Sequence, residues 1–163
     1  MFKINDLVIH SREGLSRIAS INSMNGKDYF LIQVQHLSGE NIYVPVETAN
    51  LIIRPLMTAK EADELLVYIK TIELEFNPNT KQRRDAFKRC LSSGDVKDIG
   101  YLYRQLYFYY LNGGEENPDM KLGAVDLEML SYAQNMLMDE LAITYSVPRE
   151  AVLEFVNNKI ANL

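Results

Sequence analysis

From Phe2 to Arg54 apolar and polar residues alternate in short runs, with turn formers about every ten residues, as in a small β module. The alternation predicts strands over Lys3–His10, Ser16–Asn22, Asp28–Gln35 and Asn41–Val46, with a short piece at Leu51–Arg54. Glu13-Gly14, Asn25-Gly26 and Ser38-Gly39 separate these runs, and each glycine can take the positive φ of a tight turn. Asn5 is a further candidate for left-handed backbone. Five short strands are too few for a large sandwich, so the pattern reads as a small SH3- or Tudor-like barrel.

Beyond Arg54 the apolar spacing changes to three and four. Pro55 ends the last strand, and Thr58-Ala59-Lys60-Glu61 has the form of a capping box opening a helix with Ala62, Leu65, Ile69 and Ile72 on one face. After the break Asn77-Pro78-Asn79 a basic helix is predicted over about Thr80–Leu91, ended by Ser92-Ser93-Gly94. The next helix, roughly Asp95–Leu111, sets Ile99, Leu102, Leu106 and Tyr110 in a stripe. A loop spans Asn112–Gly123. A helix follows over about Val125–Tyr145, carrying Leu130, Leu137 and Leu141, and a last one runs from near Ser146, with Pro148 in its first turn, to near Ile160. The fold class is α+β: a small β barrel, residues 1–55, followed by an all-α bundle, residues 56–163.

Hydrophobic content of 47% and charged content of 24% are ordinary for a soluble globular chain. Apolar runs fall far short of a membrane span and the N-terminus lacks a signal-peptide pattern, so a soluble cytoplasmic protein without membrane association is expected. One cysteine, Cys90, excludes an internal disulfide. The net charge of −5 hides an asymmetry. From Met1 to Met57 acids and bases balance at five each, and from Tyr101 onward nine acids face four bases. Between them, Lys81, Arg83, Arg84, Lys88 and Arg89 stand against Asp85 alone. Phosphate attraction follows local positive density, so this island is the candidate nucleic-acid contact. Lys81, Arg84 and Lys88 share one helical face by their spacing.

No sequence pattern for catalysis, phosphate cradling or metal binding stands out. His10 and His36 have no nearby Cys or Asp partner, and Cys90 reads as a structural thiol. Neither a cofactor nor a small-molecule substrate is expected, and the chain does not read as an enzyme. Tyr101, Tyr103, Tyr107, Phe108, Tyr109 and Tyr110 are dense enough for a base-stacking platform. They spread over more than one helical face, however, and are assigned to the core. Glu115-Glu116 is expected on a loop and Asp139-Glu140 on an exposed helix edge. Tyr43, alternating with Ile42 and Val44, points to the face opposite both.

The residues resemble the CarD/CdnL family of bacterial transcription regulators, whose N-terminal module is shared with the transcription-repair coupling factor. The resemblance rests on Phe2-Lys3, Asp6, Val8, Gly14 and Tyr43-Val44-Pro45-Val46 in the β part. In the helical part it rests on Leu91-Ser92-Ser93-Gly94-Asp95-Val96, Arg104 with Leu106, Met129-Leu130, Ala133 and Glu140-Leu141-Ala142. It implies that the β module docks on the RNA polymerase β subunit, in part by strand addition, through Ile42, Tyr43, Val44 and Pro45. Ser23 and Met24 at the neighbouring hairpin tip fall on a further family contact. It also implies that the helical domain meets promoter DNA at the edge of the melted bubble and stabilises the open complex, here through Lys81, Arg83, Arg84 and Lys88.

Three departures accompany the resemblance. Thr80 stands where relatives often carry a wedge tryptophan, with Phe76 and Phe87 as candidate substitutes. Gln82 and Asp85 replace bases, and Asp126, Leu127 and Glu128 lie where relatives tend to be basic. The alternative reading is a protein–protein interaction module without DNA contact. The two differ in whether the bases of the island are free or locked into ion pairs with the last helices.

Overall fold

The computed structural model describes residues 2–35, 41–75, 77, 79–113 and 118–163. The expectations for His36, Ser38-Gly39, Phe76, Pro78 and Glu115-Glu116 lie outside the described residues. The chain divides into two compact units, Met1–Met57 and Thr58–Leu163.

In the first unit, β1 (Leu7–His10), β2 (Gly14–Met24), β3 (Lys27–Val34) and β4 (Asn41–Pro45) form an antiparallel meander. A 3-10 helix, Val46–Leu51, then carries the chain to β5 (Ile53–Pro55), which pairs with β1, giving the sheet order β4-β3-β2-β1-β5. This return of the last strand to the first is the SH3/Tudor-like arrangement. An irregularity in the register between Ile18 and Ser20 lets the long β2 bend. Side-chain alternation sends Phe30, Ile32 and Val34 of β3 inward, where Phe30 and Ile32 join Val8, Ile18, Val44, Ala49 and Ile53 in one core. Phe2 closes the cluster edge-to-face on Phe30.

The first strand begins at Leu7, later than the alternation predicts. Asn5 takes φ 74°, and the Asp6 carboxylate accepts the Lys3 N–H at 2.8 Å, so this stretch turns before it can extend. Val46 and Leu51, expected in strands, bound the 3-10 helix instead. The β2–β3 hairpin turns on Asn25 and Gly26, at φ 52° and 76°, between the paired Met24 and Lys27. His10 is buried, and its Nδ1 accepts the N–H groups of Arg12 and Glu13, which fastens the β1–β2 turn; burial holds its pKa below the usual value.

In the second unit, α1 (Ala59–Thr71), α2 (Thr80–Ser93), α3 (Val96–Asn112), α4 (Ala124–Thr144) and α5 (Val152–Ala161) form the bundle, with a 3-10 turn at Pro118–Met120. Thr58 and Glu61 make the expected reciprocal cap. Asn79 caps α2, and Gly94 at φ 70° ends it. Helix α3 packs against α1, α2 and α4, with Ile99, Leu102 and Leu106 buried among Leu65, Leu66 and Ile69 of α1 and Leu130, Leu137 and Leu141 of α4.

Three expectations are corrected. The last helix begins at Val152, because Ser146 at φ 54° reverses the chain and the Val147 N–H returns to the Ala142 carbonyl, leaving turns up to Ala151. Tyr103 and Tyr109 are buried, but Tyr110 is 57% exposed, since it lies beyond the packed face of α3. Asp139 and Glu140 are buried rather than exposed, because α4 is covered on several faces; Asp139 is met by the Arg149 guanidinium. Phe87, one candidate substitute for the wedge, is buried in α2 at 4% exposure. Among the described residues no helix is long and apolar enough to cross a membrane.

Because Leu106 is fully buried at the centre of the bundle, Leu106→Ala is expected to cost about 2–5 kcal/mol in urea unfolding followed by circular dichroism. Leu111→Ala, at 62% exposure on the same helix, is expected to change stability by less than about 0.5 kcal/mol.

Candidate functional site

In the β unit the predicted docking residues gather at one margin. Strand β4 is an edge of the sheet, paired with β3 on one side, and among the described residues no other strand joins it. Such an edge presents main-chain donors and acceptors that an added strand can take. Tyr43, opposite Leu31, is half exposed on the outer face, while the Val44 side chain is buried in the core; Val44 can therefore offer only its backbone. Ile42 and Pro45 are half-buried, and Pro45 has no N–H to donate.

The antiparallel register sets Pro45 opposite Tyr29, one step from Asp28, which pairs with Ser23. The hairpin tip and the edge strand therefore adjoin. The Ser23 hydroxyl donates to the Asp28 carboxylate, and Met24 is exposed beside it. Ile21, on the same hairpin and 45% exposed, pairs with Phe30, which pairs with Val44, so it lies on the face opposite Tyr43 and adds nothing to this margin.

The basic helix is less uniform. Lys81 and Lys88 are exposed, as is Arg89, and among the described residues none of the three has an ion-pair partner. Arg83 and Arg84 converge on one carboxylate, Asp126 in the first turn of α4, whose side chain is 1% exposed. Arg84 engages it as a fork, with Nε donating to Oδ1 at 3.2 Å and Nη2 to Oδ2 at 3.3 Å. Arg83 is buried; its Nη2 lies 3.5 Å from Oδ2 and its Nη1 donates to the Asn77 carbonyl at 2.9 Å. The Gly123 N–H completes the set at 3.1 Å from Oδ2 and caps α4.

A Cβ at position 123 would meet Arg84 Nη2 at 2.9 Å, so glycine leaves room for the guanidinium across the helix start. Burial alone would raise the Asp126 pKa. The Arg84 and Gly123 hydrogen bonds and the two guanidinium charges outweigh it and hold the carboxyl below the usual range.

The entry to this helix is tied to α3. Gln105, fully buried, donates to the Glu73 carbonyl at 2.7 Å and accepts the Glu75 N–H at 3.1 Å, and the Tyr109 hydroxyl donates to the Glu75 carbonyl. Buried polar groups so satisfied hold the chain just ahead of α2 in one place. Further along α3, Tyr103, Tyr107 and Tyr110 stack with centroids 5.2 and 6.4 Å apart, from the core to the surface. On α2, Cys90 is partly buried; desolvation and Asp98 push its thiol up against the opposing pull of Arg89, which disfavours a reactive thiolate. Among the described residues no group of three His, Cys, Asp or Glu side chains could hold a metal ion.

Residues 2–57 match the CarD-like/TRCF RID domain, and residues 64–157 match the CarD C-terminal domain. The chain belongs to the CarD-like family. No curated protein gives a significant match to the sequence. CarD-like proteins are non-enzymatic transcription factors, and their two domains in this order make the chain a transcription-associated, RNA polymerase-interacting protein.

The Asp126 cluster was missed by sequence reasoning, which took Asp126 only as an acid in a basic position. Its signal was present in Gly123 followed three residues later by an acid, the spacing of a helix start. Since the folded pKa of Asp126 lies below the unfolded value of about 3.9, its contribution to stability is present above about pH 4 and lost as pH falls through the folded value. The midpoint of thermal unfolding is therefore expected to drop between about pH 5 and pH 2, and to drop less in Asp126→Asn, as read by circular dichroism.

Proposed function

We propose that this CarD-like protein docks on the RNA polymerase β subunit through the β4 edge and the adjoining hairpin tip. Ser23, Met24, Ile42, Tyr43, Val44 and Pro45 form the contact, with Val44 acting through its backbone. The observation that carries this reading is a free sheet edge bearing a half-exposed tyrosine at its middle, set beside an exposed hairpin tip. Strand addition supplies main-chain hydrogen bonds, and Tyr43 supplies the anchor that aromatic residues commonly provide at interfaces. An interface of this kind belongs to the transient class, below about 1,200 Å².

The helical unit in this reading meets promoter DNA through α2 and modulates the stability of the open complex. Lys81 and Lys88 reach phosphates, with Arg89 added to the expected set, while Arg83 and Arg84 hold α2 against α4. Contacts of this type position the protein on DNA and read no sequence. The occupied arginines and the acidic balance of the chain favour, as the second reading, a helical unit that binds only protein.

Binding of the full chain to an isolated polymerase β-lobe fragment tests the docking. Tyr43→Glu is expected to weaken it about tenfold or more at unchanged thermal stability; equal binding by a folded variant removes the edge from the account. For the helical unit, reversing Lys81, Lys88 and Arg89 together to Glu is expected to weaken DNA binding and flatten its salt dependence by about 0.9 per lost phosphate contact. Unchanged binding, or no DNA binding by the parent chain, leaves the protein-only reading.

A further inference from the structure

Lys81, Arg84 and Lys88 fall on one face of α2 by their spacing of three and four. The two lysines project into solvent, whereas Arg84, 31% exposed, turns its fork onto Asp126. A carboxylate that takes both Nε and Nη2 of a guanidinium fills one of the two bidentate edges that a phosphodiester could use and offsets the charge that would attract it. The Asp126 carboxylate cannot shift to other partners without exposing Arg83, because it is buried and shared with that arginine and with the Gly123 N–H. The glycine at 123 lets Arg84 lie flat in this position.

Resting on the DNA reading above, we propose that Asp126 is an intramolecular competitor for phosphate. It withholds Arg84 from DNA and sets the affinity of the α2 face below what its charge would give. The helix then carries two functions on neighbouring bases: exposed lysines that touch the backbone, and an arginine kept in reserve by an internal anion.

The test is a salt series of full-chain binding to a fluorescent DNA duplex. Asp126→Asn is expected to bind about three- to tenfold tighter at about 50 mM salt, with a dependence of log K on log salt steeper by about 0.9, the signature of one added phosphate contact. Adding Arg84→Gln to that variant is expected to abolish the gain, and Arg84→Gln alone to leave the parent affinity within about twofold.

A folded Asp126→Asn without a gain overturns the proposal. So does a gain that persists without Arg84, or an Arg84→Gln chain weakened as much as Lys88→Gln. Should Asp126→Asn fail to fold, Gly123→Ala takes its place, since an added Cβ would lie 2.9 Å from Arg84 Nη2 and force the guanidinium to shift off its seat on Asp126. Tighter binding by this variant supports the latch, and unchanged binding overturns it. Absence of DNA binding from parent and variants alike overturns the DNA reading together with the latch, whereas a parent that binds and a variant that gains nothing overturns the latch alone.

Discussion

The buried Asp126 carboxylate is the constraint on which the placement of α2 in the helical unit depends. One side chain caps α4, neutralises two arginines of α2 and, through Arg83, reaches the backbone at Asn77 that leads into the basic helix. A buried charge is tolerated only when paired and hydrogen-bonded, and removing one partner of such a group commonly costs about 3–5 kcal/mol. The same bonds therefore place α2 and restrict which of its bases face solvent. Gln105 and Tyr109 of α3 brace the chain on the other side of that entry, so the start of α2 is held by polar groups rather than by apolar packing alone.

In the β unit the governing constraint is topological. Once β5 returns to β1, the open edge of the meander falls on β4, and the antiparallel register brings the Asn25-Gly26 hairpin beside Pro45. The core is filled from one face of each strand, which leaves Tyr43 outward by necessity. Edge strands are a hazard in any soluble protein because they pair with foreign strands, and a partner that takes the edge converts the hazard into recognition. The geometry of the small barrel thus leaves its open edge and its outward tyrosine on one strand.

The distribution of charge differs between the two units. Acids and bases balance in the β unit, and its candidate contact is apolar and main-chain in character. The helical unit carries the whole formal charge of −5, and its basic helix α2 is partly consumed by internal pairing. Local positive density, not net charge, decides phosphate attraction, so what matters is the number of cations left on the outer face of α2. That number is smaller than the composition of the helix suggests.

Much of this was legible in the chain itself. Alternation and glycine placement defined the β module, Asn5 was recognised as a left-handed position, and the Thr58-Glu61 box and Gly94 marked helix ends; these are local effects that act within a few residues. The order of elements and the family's residues were equally readable, and the domain matches bear out the family. Only the tertiary structure decided which charged residues are free. Arg83 and Asp126 lie 43 positions apart, and no local spacing links a basic helix to the first turn of another. For the same reason Asp139 and Glu140 look like a surface pair in sequence yet are buried, because their exposure depends on what α4 packs against. Periodicity assigns a residue to a face; whether that face meets solvent, a core or a counter-ion is settled by the assembly of distant segments.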